Sequence, residues 1–244
     1  MADISNTIFD ELKKELVSLK IKPGEKINES DICTRFSVTR PPVRTVLQRL
    51  ADLHLIELKP YKGISATLLS LEQVYQMIFL RTSVESWVIR DFIDRVPTAL
   101  ELEELEHNLR LQKIHISSET VDEKEFFRLD SAMHQYWFDK MNCSSVWTMI
   151  QENLNYERFR MLDFVGTMKY SEIVGDHEEL LNVIRDGRKD DIVPVLSSHL
   201  NAGLRRMGNL IQTEYKQYFG YDEMQNEYWV KYFEKLSKRE LLGN

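Results

Sequence analysis

The sequence predicts a mostly α-helical protein, in which an N-terminal winged helix-turn-helix is followed by an all-α antiparallel helical bundle. Residues 1–70 contain three helical patterns and then two short strand patterns. From residue 71 onward the periodicity is helical, and the 244 residues include only six prolines and nine glycines. The predicted domains are residues 1–70 and 71–219, with a helical C-terminal extension at 220–244.

The segment 37–50, SVTRPPVRTVLQRL, predicts a turn followed by a helix. Thr39 is a natural N-cap, and two prolines fit the first helical turn, where a missing N–H costs nothing. One side of this helix is apolar and carries Val43, Val46, Leu47 and Leu50. The other side carries Arg40, Pro41, Arg44, Thr45 and Gln48. Two arginines one turn apart suit insertion into a DNA major groove, but a solvated face of a small helical domain explains the spacing equally well.

The flanking segments favour the DNA-binding interpretation. An amphipathic helix over about residues 4–20 is followed by a Pro-Gly turn and a second helix near 29–36. Downstream, IELKPYKGISATLL predicts strands at 56–59 and 64–69, joined by a turn at 60–63. Two helices, a recognition helix and a two-stranded wing make a winged helix-turn-helix.

The order PG..IxE, then VTRPPVRxVLQRL, then KG resembles the N-terminal domain of the GntR family of bacterial transcription regulators over about residues 4–70. The resemblance implies DNA contacts from the helix and the wing by Thr39, Arg40, Arg44, Lys62 and Gly63. Two positions depart from the family pattern. His54 stands where the family usually has a helix-ending glycine, and Ser30 stands where some members carry a DNA-contacting arginine.

Composition narrows the class of protein. A hydrophobic content of 43% with 29% charged residues is typical of a soluble globular protein. No apolar run approaches the roughly 20 residues that span a bilayer, and the N-terminus has the pattern of an amphipathic helix rather than of a signal peptide. Two cysteines imply no disulfide framework. We therefore expect a cytoplasmic protein without a membrane partner.

The charge is unevenly distributed along the chain. Residues 1–70 hold 11 Lys and Arg against 9 Asp and Glu, or +2, whereas residues 71–244 hold 21 against 30, or −9. A weakly basic DNA-binding domain provides few phosphate contacts, so affinity should depend on two domains contacting two half-sites. The sequence therefore predicts a homodimer on a double-stranded DNA operator.

Residue 71 begins the predicted bundle, whose helices we place at about 71–95, 98–117, 121–142, 144–165, 171–187, 190–218 and 222–239. In the first of these, Arg81 and Glu85 lie on the apolar stripe. A buried charge needs a partner. Arg81 either pairs with Glu85 one turn away or waits in a pocket for the carboxylate of a ligand.

Four potential metal ligands lie on apolar faces of the bundle. Asp130 and His134 are one turn apart within a stripe of large apolar residues, and His177 and His199 lie on the apolar faces of two later helices. His107 and His115 lie off the stripe of their own helix. Each candidate alone is more often a satisfied core residue. Together they predict a divalent metal site suited to zinc, nickel or manganese.

The DxxxH motif, followed by DHEELLNVIRDGRKDDIVPVLSSHL with histidines 22 residues apart, resembles the FCD effector domain of FadR-type GntR regulators over about 71–215. The resemblance implies a zinc, nickel or manganese ion bound by Asp130, His134, His177 and His199. It further implies that a small carboxylate effector occupies open metal positions, assisted by Arg81, and controls operator affinity. Two alternatives are a metalloenzyme with a DNA-targeting domain and a regulator whose metal is purely structural. The sequence contains no nucleophile motif, HExxH or glycine-rich phosphate loop, so we expect no enzymatic activity.

Overall fold

The computed structural model describes residues 2–167, 169–220, 227–229, 231–232 and 235. Its α-helices are α1 (Ala2–Val17), α2 (Glu29–Phe36), α3 (Arg40–Asp52), α4 (Leu71–Asp94), α5 (Ala99–Ile116), α6 (Glu123–Lys140), α7 (Ser144–Gln151), α8 (Leu154–Thr167), α9 (Tyr170–Arg185) and α10 (Ile192–Gln212). The strands are β1 (Lys26–Ile27), β2 (Ile56–Lys59) and β3 (Gly63–Ala66), and short 3-10 helices span Lys189–Asp191 and Lys216–Tyr218. The predicted fold class is confirmed. No helix in the described ranges is long and apolar enough to cross a membrane.

The chain divides into two compact units. The first comprises Met1–Val74, Leu154–Leu162 and the described residues of Gly208–Asn244. The second comprises Tyr75–Asn153 and Asp163–Met207. The predicted domain boundaries at residues 70 and 219 stay a prediction, because the two compact units combine segments that are distant in sequence and are not divided at those residues.

In the first unit, α1, α2 and α3 pack with the sheet around one apolar core. The buried core residues are Ile8, Leu12, Leu16, Ile32, Val43, Val46, Leu47, Leu50, Leu55, Ile56 and Ala66. The four predicted apolar positions of α3 are among them. The sheet has the strand order β1-β3-β2, with both pairs antiparallel. The two-stranded wing that the sequence predicts therefore has a third, two-residue strand.

Strand β3 ends at Ala66 rather than at residue 69, the predicted limit, because backbone groups of the next three residues make hydrogen bonds outside the sheet. Thr67 donates its N–H to the carbonyl of Leu55 at 3.0 Å, and Leu69 donates to the carbonyl of Tyr218 at 2.8 Å. Ser70 and the side chain of Asn155 exchange two hydrogen bonds, at 2.9 and 3.0 Å. The segment after the wing is therefore fixed by residues distant in sequence.

A buried arginine holds the same segment. Arg158 of α8 donates to the hydroxyl of Thr67 at 2.8 Å and to its carbonyl at 2.9 Å. Loss of solvent lowers the pKa of Arg158 to about 10. The Thr67 hydroxyl in turn donates to the carbonyl of His54 at 2.8 Å, directly after the recognition helix. The end of α3, the wing and the start of α8 thus share one hydrogen-bonded chain within the first unit.

The second unit is helical, and α5 packs against both α6 and α9. The single helix predicted at 144–165 is wrong, because α7 ends at Gln151 and α8 begins at Leu154. Asn153 lies in the break, directly before α8, and asparagine favours caps and turns over helix interiors. The helix predicted at 190–218 is also too long, since α10 spans Ile192–Gln212. The helix predicted at 222–239 lies mostly outside the described residues.

His54 adopts a left-handed backbone conformation with φ of +56°, two residues after α3 ends. A side chain in this region costs about 1–2 kcal/mol relative to right-handed backbone, whereas glycine adopts it freely. We expect His54→Gly to raise the free energy of unfolding by up to about 1 kcal/mol, after the extra entropy of the unfolded glycine is subtracted. Urea unfolding measures the change. His54→Ala is the control and should give no gain, and a His54→Gly protein no more stable than His54→Ala would contradict the explanation.

Candidate metal centre and DNA-contacting surface

The structure brings the four predicted metal ligands together inside the second unit. Asp130 and His134 lie on α6, His177 on α9 and His199 on α10. Each residue offers one ligand atom, and these atoms all lie within 4.8 Å of one another. The first three are buried and His199 is half-buried. His107, by contrast, is exposed on α5, as its position off the apolar stripe predicts. The cluster could hold a metal ion.

The three imidazoles face one another through their Nε2 atoms. The Nε2 atoms of His134 and His199 are 3.1 Å apart, and the Nε2 of His177 is 3.5 Å from the Oδ1 of Asp130. Ring centroids of the three histidines are separated by 4.7 to 5.4 Å. The buried Nε2 of His177 has no hydrogen-bond partner in the part of the chain that the structure describes. A buried nitrogen without a partner is costly, and a cation between these atoms would remove that cost.

A second ring of side chains holds the opposite edges of the same imidazoles. The Nδ1 of His134 contacts the carboxylate of Glu85, and the Nδ1 of His199 lies 3.2 Å from Oδ2 of Asp176. The Nδ1 of His177 lies 2.7 Å from the amide oxygen of Gln112. An imidazole whose Nδ1–H donates to an oxygen has its lone pair at Nε2, which is the form that binds a metal.

The orientation of Gln112 is itself fixed. Its amide nitrogen donates to Oδ1 of Asn108 at 2.7 Å, and Asn108 donates to the backbone carbonyl of Leu129 at 3.1 Å. The amide oxygen of Gln112 is therefore left to accept from His177. Sequence reasoning missed Gln112 and Asp176. The sequence does carry a signal for Gln112, because this polar residue lies on the same side of its helix as the apolar residues Leu105, Leu109 and Ile116.

Burial keeps the imidazoles of His134 and His177 neutral. Loss of solvent, together with the charge of Arg81, lowers the pKa of His134 well below its usual value. Loss of solvent and the neighbouring His199 lower the pKa of His177 to about 3. Burial also raises the pKa of Glu85, against the effect of Arg81. Near neutral pH the two buried histidines thus offer lone pairs rather than positive charges.

Arg81 is buried and paired with Glu85, which is one of the two arrangements that the sequence leaves open. Its NH2 and Nε atoms lie 3.1 and 3.3 Å from Oε2 of Glu85. The other carboxylate oxygen, Oε1, accepts a hydrogen bond from Nε1 of Trp137 at 3.1 Å and contacts His134. Glu85 therefore connects Arg81 to a metal-ligand candidate. The role of Arg81 toward an effector stays a prediction.

The predicted DNA-contacting residues lie on the surface of the first unit. Thr39 is at the N-cap of α3, its side chain makes no capping bond, and Arg40 and Arg44 are exposed beside it. Lys62 and Gly63 are exposed at the turn between β2 and β3. The Nε of Arg44 donates to Glu29 at 3.1 Å, so this arginine would have to release that carboxylate before it could contact DNA. DNA contact by these residues stays a prediction.

Comparison with known families now identifies the chain. Residues 4–65 match the family described as "Bacterial regulatory proteins, gntR family", and residues 76–202 match the FCD domain. The chain belongs to the GntR family. It is a DNA-binding transcription regulator with an FCD effector-binding domain. Its family and relatives are transcription regulators rather than enzymes.

Individual relatives agree with this assignment. The chain is 28% identical over 199 residues to the HTH-type transcriptional repressor RspR of Escherichia coli, covering 81% of this chain and 86% of RspR. It is 28% identical over 201 residues to the gluconate operon transcriptional repressor of Bacillus subtilis, covering 78% and 79%. Among solved structures, a GntR protein from Rhodococcus sp. RHA1 is similar with a TM-score of 0.65, at 18% identity, covering 84% of this chain and 97% of that one. E. coli McbR/YncC gives a TM-score of 0.60 at 17% identity, with coverage of 89% and 100%. These structural likenesses support the fold alone.

The hydrogen bond from His177 to Gln112 can be tested by substitution. Gln112→Leu removes the acceptor and leaves a buried Nδ1–H without a partner, which costs about 1–3 kcal/mol of unfolding free energy. We expect a lower thermal midpoint and weaker metal retention, measured by calorimetry and elemental analysis. Gln151→Leu, at an exposed position, is the control. If Gln112→Leu and Gln151→Leu had equal thermal midpoints, Gln112 would not be a supporting residue of the site.

Proposed function

We propose that this regulator binds one divalent cation through Asp130, His134, His177 and His199, and that a small carboxylate effector bound there controls its affinity for an operator. The observation that carries the proposal is the convergence of three Nε2 atoms and one carboxylate oxygen, with each Nδ1 anchored from behind. Three imidazoles and one carboxylate favour zinc, with nickel and manganese as alternatives. The FadR-type subfamily is part of the same proposal.

Charge supports an acidic effector. Three neutral imidazoles and one carboxylate would leave a bound dication with net positive charge, whereas the buried charge of Arg81 is balanced by Glu85. An anionic oxygen ligand would be attracted chiefly to the metal. The relative from B. subtilis is named for the gluconate operon, and gluconate is a small organic acid. That name supports the same class of effector for this chain, without specifying the compound.

The DNA partner is proposed to be a symmetric double-stranded operator bound by a homodimer. Each N-terminal segment of 70 residues carries a net charge of only +2, so one copy provides few phosphate contacts. Two copies present two α3 helices to two half-sites. An operator partner also implies a cytoplasmic location.

The metal proposal is tested by comparing wild type with His177→Ala. Elemental analysis should find one metal per wild-type chain and less in the variant. Chelation or His177→Ala should lower the thermal midpoint, because a ligand at a hundredfold excess over its Kd stabilises by about 2.7 kcal/mol. His107→Ala, which changes an exposed histidine of α5, should retain both metal and stability.

DNA titrations of the same proteins, with and without a panel of organic acids, separate the alternatives. We expect wild type to change its operator affinity with an acid and His177→Ala to bind the operator without responding. If His177→Ala lost stability but still responded to an acid as wild type does, the metal would be purely structural. A metal-free wild type that responds fully would exclude the metal as the sensor. Turnover of an acid by the protein would instead favour the metalloenzyme interpretation.

The DNA-contacting surface is tested by Arg44→Ala. Loss of a base-contacting arginine should weaken operator binding by about 1–3 kcal/mol, whereas loss of a phosphate contact should reduce the salt dependence instead. Fluorescence anisotropy at several salt concentrations measures both. Arg110→Ala removes an exposed arginine of α5 and is the charge-matched control. Wild-type affinity and salt dependence in Arg44→Ala would exclude this face of α3.

A further inference from the structure

The exposed face of helix α4 carries no charge over five turns. Between residues 73 and 89 the only charged side chains are Arg81 and Glu85, and both are buried and paired with each other. The solvent side instead presents Phe79, which is 65% exposed, and Trp87, which is 67% exposed, together with Leu80. In a chain with 29% charged residues this is an unusual surface. Depletion of charge with enrichment of aromatics marks the centre of protein interfaces.

The two exposed aromatic residues are equally spaced on either side of a small residue. Phe79, Ser83 and Trp87 are spaced by four residues and therefore lie in one row on the helix surface. Ser83, in the middle, is exposed and small. A small residue at a crossing point allows two helix backbones to approach closely. Large side chains on both sides of it can then fill the space between the helices.

We propose that this face joins two copies of the chain, with α4 antiparallel to the α4 of the partner and the twofold axis passing at Ser83. This inference rests on the homodimer proposed above and names its surface. In an isologous interface, a residue that contacts a second residue across the axis is contacted by that residue in return. Phe79 of each copy then packs against Trp87 of the other, giving two aromatic pairs. Arg90 falls opposite the uncharged Gln76, and the like-charged residues Glu72 and Asp94 fall opposite each other only at the two ends of the contact, where Asp94 is paired with Lys189.

The area of this face is compatible with the centre of a dimer interface. Fully buried aromatic side chains contribute about 150–250 Å² each, so the exposed two-thirds of Phe79 and Trp87 from two copies supply roughly 500 Å². Stable interfaces bury about 1,200–2,000 Å² in total. The aromatic row would therefore supply about a third of the area, and flanking surface the remainder. Binding a different protein would not require symmetry about Ser83, which favours a second copy as the occupant.

Sedimentation of the full chain tests the proposal with matched variants. Trp87→Asp places a charge at the proposed contact, and Met149→Asp changes a side chain of α7 that is equally exposed, at 68%, in the same unit. We expect wild type and Met149→Asp to be dimers, and Trp87→Asp to have a dimer Kd at least tenfold higher, with an unchanged thermal midpoint of the monomer. A wild-type dimer that Trp87→Asp leaves intact would overturn this surface while the homodimer stands. A wild type that is monomeric at all concentrations would overturn both.

Cross-linking provides a second measurement that does not depend on weakening the dimer. In a background without Cys33 and Cys143, Ser83→Cys should form a disulfide between two copies on mild oxidation. Identical residues at a twofold axis can reach the Cα separation of about 4.4–6.8 Å that a disulfide requires. Met149→Cys in the same background is the control and should remain unlinked. A dimeric Ser83→Cys protein that forms no disulfide, or that links no faster than Met149→Cys, would overturn the proposed axis.

Discussion

The second unit depends on one constraint, which is that polar groups buried in an apolar bundle must find partners. Glu85 meets this constraint for three neighbours at once, because its two oxygens contact Arg81, His134 and Trp137. Gln112 does the same for His177. The network is satisfied around its outer edge and incomplete at its centre, where the Nε2 of His177 lacks a partner within the described chain. A buried polar network that contains an unsatisfied group is destabilised by it. A cation bound among the four candidate ligands would give the Nε2 of His177 the partner that it lacks.

Much of the fold, and the grouping of the candidate metal ligands in the core, could be predicted from periodicity in the sequence. Val43, Val46, Leu47 and Leu50 are buried because a helical stripe determines which side packs inward. The same reasoning placed Asp130, His134 and His177 in a core and His107 outside it. Side-chain direction is a local property of a helix. It can therefore be predicted without knowing which helices are neighbours.

The features that sequence analysis missed depend on contacts between distant residues. The bond from His177 to Gln112 joins positions 65 residues apart, and the bonds between Ser70 and Asn155 join positions 85 apart. The break before α8 lies next to Asn155. The position of Gln112 on an apolar stripe is visible in the sequence, but its bond to His177 and the break before α8 depend on how the helices pack. The third strand was missed for a similar reason, since two residues carry no periodicity of their own.

Helix α4 would combine the two proposed roles, which are physically linked. Its inner face carries Arg81 and Glu85, and its outer face carries Phe79 and Trp87. An effector that displaced Glu85 from Arg81 would leave a buried carboxylate without its cation, at a cost of several kcal/mol. A metal would therefore have to supply most of the attraction for an acid, and a movement of α4 would be one way to recruit Arg81. Because the two faces belong to one helix, such a movement would alter the proposed dimer contact as well. Effector affinity and dimer affinity would then change by the same factor, since a coupling free energy acts equally in both directions.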